Sequence, residues 1–456
     1  MLGHNTHPIS ESLFRRAAEV LPGGTTRATI ERNPVPIYAE RGEGPWLIDV
    51  DGNRYLDLNN NFTTLIHGHG FAPVVEAVTR QLQLGTCFAN PTESEVELAE
   101  LLCSRVPSID QVRFVNTGTE AVMFAIKAAR AKTGRPKIAK LEGAYHGAYD
   151  WAETSLNSSP ANWGEAHPAS VAVAKGTPVS VLDEVVALPM NDIAATEDLL
   201  QQHGSEIACV LIDLVPSRAG LIPLDPNFVK SLREVTERLG ILLVSDEVLN
   251  FRQGYHGAAA RFDLKPDLIT MGKIIGGGLP IGAIGGSSEA MSVFDNSTGP
   301  AALPQGGTFS ANPLSMVAGL SAMQALDEQA FADLEAMGDA ARQGLTKLFK
   351  QTGLPLCVTG SASLTRIHAS SRPPRNYRES YLTPTKAEFF KTLSRSLQSR
   401  GASPCGGSLI VLSTAMHDVH IEHLLTAFSE ALREDEKLLR LGAQLMKEEK
   451  GNGHNG

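Results

Sequence analysis

The chain has 456 residues, 42% apolar and 20% charged, enough for about three average domains or for one large α/β domain with a smaller one attached. Its net charge of −10, with no basic block to offset it, argues against nucleic acid as a partner. No apolar stretch approaches the roughly 20 residues of a membrane span, so no membrane role is expected.

The segment Met1-Leu2-Gly3-His4-Asn5-Thr6-His7 lacks a charged region followed by an apolar one, so the cytoplasm is the expected location. From Leu13 to Val20 the spacing predicts a short amphipathic helix, stopped by Leu21-Pro22-Gly23-Gly24. Pro34-Val35-Pro36 and Trp46-Leu47-Ile48-Asp49 read as extended, and Asp51-Gly52 marks a hairpin turn between Trp46-Val50 and Arg54-Leu58. The opening seventy or so residues therefore read as part of a small lobe.

From about Val74 to Ala325 short apolar runs alternate with helical stretches. The runs are Val112-Val115, Ile138-Lys140, Ile207-Ile212, Ile241-Ser245 and Leu268-Met271. This alternation predicts βαβ units and a mainly parallel sheet. A helix around Pro313 to Leu326 leads into a charged segment reaching about Gln351, then mixed strands and helices to Leu438, interrupted by the linker-like Ser370-Ser371-Arg372-Pro373-Pro374-Arg375-Asn376. The expected division is 1–73 and 326–449 as the two parts of a small domain, 74–325 as a large domain, and 450–456 as a tail too polar to pack. Five cysteines (Cys87, Cys103, Cys209, Cys357, Cys405) show no CxxC spacing, so neither a disulfide framework nor a metal site is expected.

The most informative feature is a pair. Val244-Ser245-Asp246-Glu247-Val248 places a carboxylate at a strand's carboxyl end, where open α/β sheets hold their ligands. The next strand delivers Lys273, in Gly272-Lys273-Ile274-Ile275-Gly276-Gly277-Gly278, to the same edge. Pyridoxal phosphate needs such a pair: an amine to condense with its aldehyde and an anion to keep its ring nitrogen protonated. Asn116-Thr117-Gly118-Thr119-Glu120 follows one strand and opens an alanine-rich helix, whose free N–H groups and dipole suit a phosphate. Glu142-Gly143-Ala144-Tyr145-His146-Gly147 brings an aromatic ring and an imidazole near that edge, and Gln305-Gly306-Gly307-Thr308-Phe309-Ser310 offers another phosphate contact before a helix. For a substrate carboxylate Arg27, in Gly23-Gly24-Thr25-Thr26-Arg27, is the leading candidate, with Arg252 and Arg218 competing.

In this order the segments resemble the class III (fold type I) pyridoxal-phosphate aminotransferases, and within them the branch of glutamate-1-semialdehyde aminomutase and the β-amino-acid and arylglycine aminotransferases. The resemblance runs from about Leu13 to Leu432 and is most specific over Pro266-Asp267-Leu268-Ile269-Thr270-Met271-Gly272-Lys273-Ile274-Ile275-Gly276-Gly277-Gly278-Leu279-Pro280-Ile281-Gly282-Ala283. It implies an α/β fold with a large domain on a mainly parallel sheet and a small domain from both chain ends. It also implies that Lys273 forms the internal aldimine and Asp246 pairs with the pyridinium nitrogen. Gly118 and Thr119 would hold the phosphate, Tyr145 would stack on the ring and Val248 would pack on its other face. The threonine matching Thr308 reaches the neighbouring subunit's cofactor in this family, so a homodimer is expected, with an inactive isolated monomer. Arg27 matches an arginine that binds substrate carboxylate in the β-amino-acid branch.

The activity implied is a ping-pong transfer of an amino group from an amino acid, β-amino acid or amine to a 2-oxo acid. The alternatives are an aminomutase, racemase or decarboxylase on the same fold and, more remotely, a non-catalytic regulatory relative. Two departures stand out: Asp213-Leu214 occupies the place of the family's usual Glu-Pro, and Asn59-Asn60-Asn61-Phe62-Thr63-Thr64 lacks the tryptophan of the aminomutase.

Overall fold

The computed structural model describes residues 7–32 and 35–452, with side chains through residue 449. The expectation for Met1 to Thr6, and Pro34 of the expected extended segment, lie outside the described residues. An opening helix, Pro8–Val20, is longer than the predicted one and ends at Leu21, whose N–H donates to the Ala17 carbonyl. Strands β1 (Ala39–Glu43), β2 (Trp46–Asp49) and β3 (Arg54–Leu58) form an antiparallel meander, with the β2–β3 turn at Asp51-Gly52 as expected. The buried Asp49 carboxylate holds that turn by accepting from the N–H groups of Asp51 and Asn53.

Seven strands make the central sheet: β4 (Gln111–Val115), β5 (Lys137–Leu141), β6 (Val185–Leu188), β7 (Ile207–Ile212), β8 (Leu242–Asp246), β9 (Leu268–Gly272) and β10 (Gly282–Gly286). Their spatial order is β4-β10-β9-β8-β7-β5-β6, and β10 is antiparallel to both its neighbours. Each of the five predicted runs is a strand here. Two strands escaped the sequence reading, for different reasons. The run Val185 to Leu188 is short but fully apolar, whereas the glycines of β10 are imposed by its neighbours: a Cβ at Gly282 would meet the Thr117 carbonyl oxygen at 2.1 Å. Helices cover both faces of the sheet; Gly118–Thr133 buries Ala121, Val122, Ala125, Ile126 and Ala129 against one of them.

The carboxyl half of the chain adds β11 (Cys357–Ser361), β12 (Leu364–His368), β13 (Ala402–Pro404) and β14 (Leu409–Val411). Strand β13 pairs with β3 in parallel, so both ends of the chain share one sheet, and Leu56 and Leu58 pack with Leu345, Phe389 and Phe428 in one apolar core. We propose the division of domains expected above, with one refinement. The helix Glu328–Thr352 sets Phe331 and Leu334 in the core beside the central sheet and Leu345 to Phe349 in the smaller one, and thereby bridges the two.

The segment read as linker-like at 370–376 contains no helix or strand, and it leads into an anchored stretch where Tyr377 donates to the Ser158 carbonyl and Arg378 pairs with Glu142 at 2.8 Å. One sequence expectation needs correction. The last helix, Glu436–Asn452, carries the backbone into the tail expected to lack structure, of which 453–456 lie outside the described residues.

Candidate active site

Parallel strands collect their carboxyl ends on one edge, and five of these ends carry the candidate residues. Asn116 to Thr119 follow β4, Tyr145 and His146 follow β5, Asp213 follows β7, Asp246 closes β8 and Lys273 follows β9. They line a cavity of about 470 Å³, together with Arg27, Asn61, Val248 and Pro280. Seven of the eight predicted site residues therefore meet: Lys273, Asp246, Gly118, Thr119, Tyr145, Val248 and Arg27. Thr308 does not. It is exposed in a separate groove with Cys87 and Asn312.

Asp246 is buried and held from three sides. Its Oδ1 accepts from Thr270 Oγ1 at 2.9 Å and from the Val248 N–H at 3.1 Å, and its Oδ2 lies 2.7 Å from His146 Nδ1. Burial holds His146 below its ordinary range, so the ring is neutral, its Nδ1 proton serves Asp246, and its buried Nε2 has no partner among the described residues. These three contacts fix the direction of the carboxylate.

Lys273 adopts φ +50°, a conformation costing a non-glycine residue on the order of 1 kcal/mol. Burial lowers its amine to about 8, against the opposing pull of Asp246 and Asp213. Burial, helped by the charge of Asp246, raises Asp213 well above the usual carboxylate range, and its Oδ1 accepts from the Val215 N–H and from Asn250.

At the start of the helix Gly118–Thr133, Thr117 caps the Glu120 N–H, and the first helical hydrogen bond runs from Ala121 to the Thr117 carbonyl. The N–H groups of Gly118 and Thr119 precede it and are free to meet an anion. Here the glycine is required by contact: a Cβ at Gly118 would stand 2.5 Å from Val248 Cγ1. A lysine whose amine burial has lowered, an anchored carboxylate, a helix start suited to an anion and the half-exposed Tyr145 ring thus surround one space, and they fit pyridoxal phosphate.

Arg27 lies at the cavity wall, 3.0 Å from Asn61 Oδ1 through its Nη1 and over the Phe62 ring. Arg252, the competing carboxylate clamp, is excluded. It is fully buried, with its guanidinium donating to the carbonyls of Thr63 and Leu412 and to Ser363 Oγ.

The sequence reading missed the bracing residues. Thr270 supports Asp246 only because β9 lies beside β8 in that register. Lys140 is fully buried and donates to the carbonyls of Leu141, Ala144 and Thr154, fixing the loop that presents Tyr145. A lone lysine inside the apolar run Ile138-Ala139-Lys140-Leu141 was the available signal.

The fold and this constellation define a fold type I pyridoxal-phosphate enzyme. Residues 28–432 match the class-III aminotransferases, and the chain belongs to that family. It is 38% identical to a glutamate-1-semialdehyde 2,1-aminomutase of Methanothermobacter thermautotrophicus over 93% of this chain and 98% of that protein. Among solved structures it is similar to an omega-transaminase from Sphaerobacter thermophilus, 49% identical with a TM-score of 0.91 over 93% of this chain and 97% of the other. A transaminase with PLP bound is 39% identical, with a TM-score of 0.87 over 97% and 99%.

Proposed function

We propose that the protein is an aminotransferase that moves an amino group from an amino acid, β-amino acid or amine to a 2-oxo acid in two half-reactions. The observation that carries this reading is the 49% identity, across 93% of the chain, to a protein described as an omega-transaminase. Bound pyridoxal phosphate supplies an aldehyde and an electron-withdrawing ring. The chain's own residues do the rest. Lys273 would hold the cofactor through its amine, and its Nζ is placed to hold or move a proton. Its amine is brought to about 8 by burial, close to the working range of a general base. Asp246, steadied by His146 and Thr270, stabilises positive charge at the ring nitrogen. Gly118 and Thr119 offer N–H groups to the phosphate, Tyr145 and Val248 enclose the ring, and Arg27 takes a substrate carboxylate. Thr308 serves the cofactor of a second copy in a homodimer.

The curated relative's name favours a second reading, an aminomutase that moves an amino group within one substrate. A half-reaction separates the two. With cofactor-loaded enzyme and a panel of α-amino acids, β-amino acids and aryl amines, without acceptor, the aminotransferase releases one equivalent of oxo product per site. It then turns over when pyruvate or 2-oxoglutarate is added. An enzyme that isomerises glutamate 1-semialdehyde and releases no oxo product from any donor overturns the first reading in favour of the second. Lys273→Ala abolishes multiple turnover under either.

A further inference from the structure

Beside the cofactor cavity lies a second one of about 250 Å³, whose lining includes Arg218, Arg366, Asn157, Tyr381 and Leu382 and no acidic residue. The two cavities adjoin through the backbone, since Ser217 lines the first and Arg218 the second. The Ser217 carbonyl accepts from Arg366 Nη1 at 3.1 Å. Among the described residues neither Arg218 nor Arg366 forms a salt bridge, although most of the other ion pairs in the molecule are arginine with carboxylate. Burial lowers Arg366 to about 10, with the like charge of Arg218 acting in the same direction. His368, in the same lining, is driven down to about 3 by burial and by Arg366, so it is neutral and adds no charge.

Two guanidiniums lining one small cavity, with no carboxylate paired to either among the described residues, offer an anion two sets of charged donors. We infer that the Arg218–Arg366 cavity is a second carboxylate seat, separate from Arg27, and that the enzyme accepts dicarboxylic substrates whose far carboxylate binds there. The inference deepens the proposed function, because it names a substrate class, and its test needs no turnover.

Glutarate and butyrate differ by one carboxylate, and neither can react. Calorimetry on the cofactor-loaded enzyme should give glutarate at least about tenfold tighter binding than butyrate, the least that a pair of charge-assisted hydrogen bonds contributes. In Arg218→Gln that advantage should vanish while butyrate binds as before. Because Arg218 is exposed, this variant will fold; Arg366→Gln, if it folds, should behave alike. Equal binding of both acids by the parent, or an advantage that survives in Arg218→Gln, overturns the seat. If the seat stands but no donor yields an oxo product, only the transaminase reading fails.

Discussion

Lys273 combines a constrained backbone with an amine that burial has made easier to deprotonate. An exposed lysine keeps its proton until about pH 10.4. Lowered to about 8, Lys273 is half uncharged at that pH, and only the uncharged amine attacks an aldehyde. The sign follows: cofactor capture by the stripped enzyme, read as a borohydride-fixed pyridoxyl group on Lys273, should accelerate with rising pH through about 8 and level off above it. A rise that continues towards pH 10 would show an amine still solvated as in free lysine. The pair Lys273 and Asp246 was legible in the sequence because each ends a strand, and strand ends share an edge. The brace of Asp246 was not, since His146 lies 100 residues away in the chain and its role depends on a 2.7 Å contact.

Among the elements, the short helical turn Asn250–Gln253 does more than continue β8. Its Arg252 reaches Thr63 after β3, Ser363 before β12 and Leu412 after β14, three segments of the small domain. Among the described residues this buried guanidinium has no carboxylate partner and is held by these acceptors, and removing it leaves them unpaired beside a cavity. Arg252→Ala should therefore cost roughly 3 kcal/mol or more of stability. In urea this appears as a lower midpoint at an unchanged slope; a loss below about 1 kcal/mol would show that water replaces the side chain freely. The sequence offered Arg252 as a substrate ligand because an arginine shortly after Asp246 is near the site in the chain. Burial decided otherwise.

For the whole molecule, the separation of Thr308 from the cofactor cavity leads to the clearest test of assembly. If each site needs Lys273 from one copy and Thr308 from the other, Lys273→Ala and Thr308→Ala enzymes should each be impaired alone. Mixed dimers formed by co-expression should regain one intact site, built from the Lys273 of one parent and the Thr308 of the other. Activity of the mixture no higher than the sum of the parents would place Thr308 outside the partner's site.

Local pattern alone determined the βαβ alternation, the hairpin at Asp51-Gly52 and the placing of Lys273 and Asp246 at one sheet edge, because period, turn residues and strand ends act over a few positions. The tertiary structure decided what depends on distant segments meeting. It pressed Gly282 of β10 against Thr117, joined the chain ends through β3 and β13, turned Arg252 inward, and set Arg218 and Arg366 in the lining of one cavity. Each of these follows from packing between residues far apart in the chain, where close contact, burial and like charge have no signature in any short stretch of sequence.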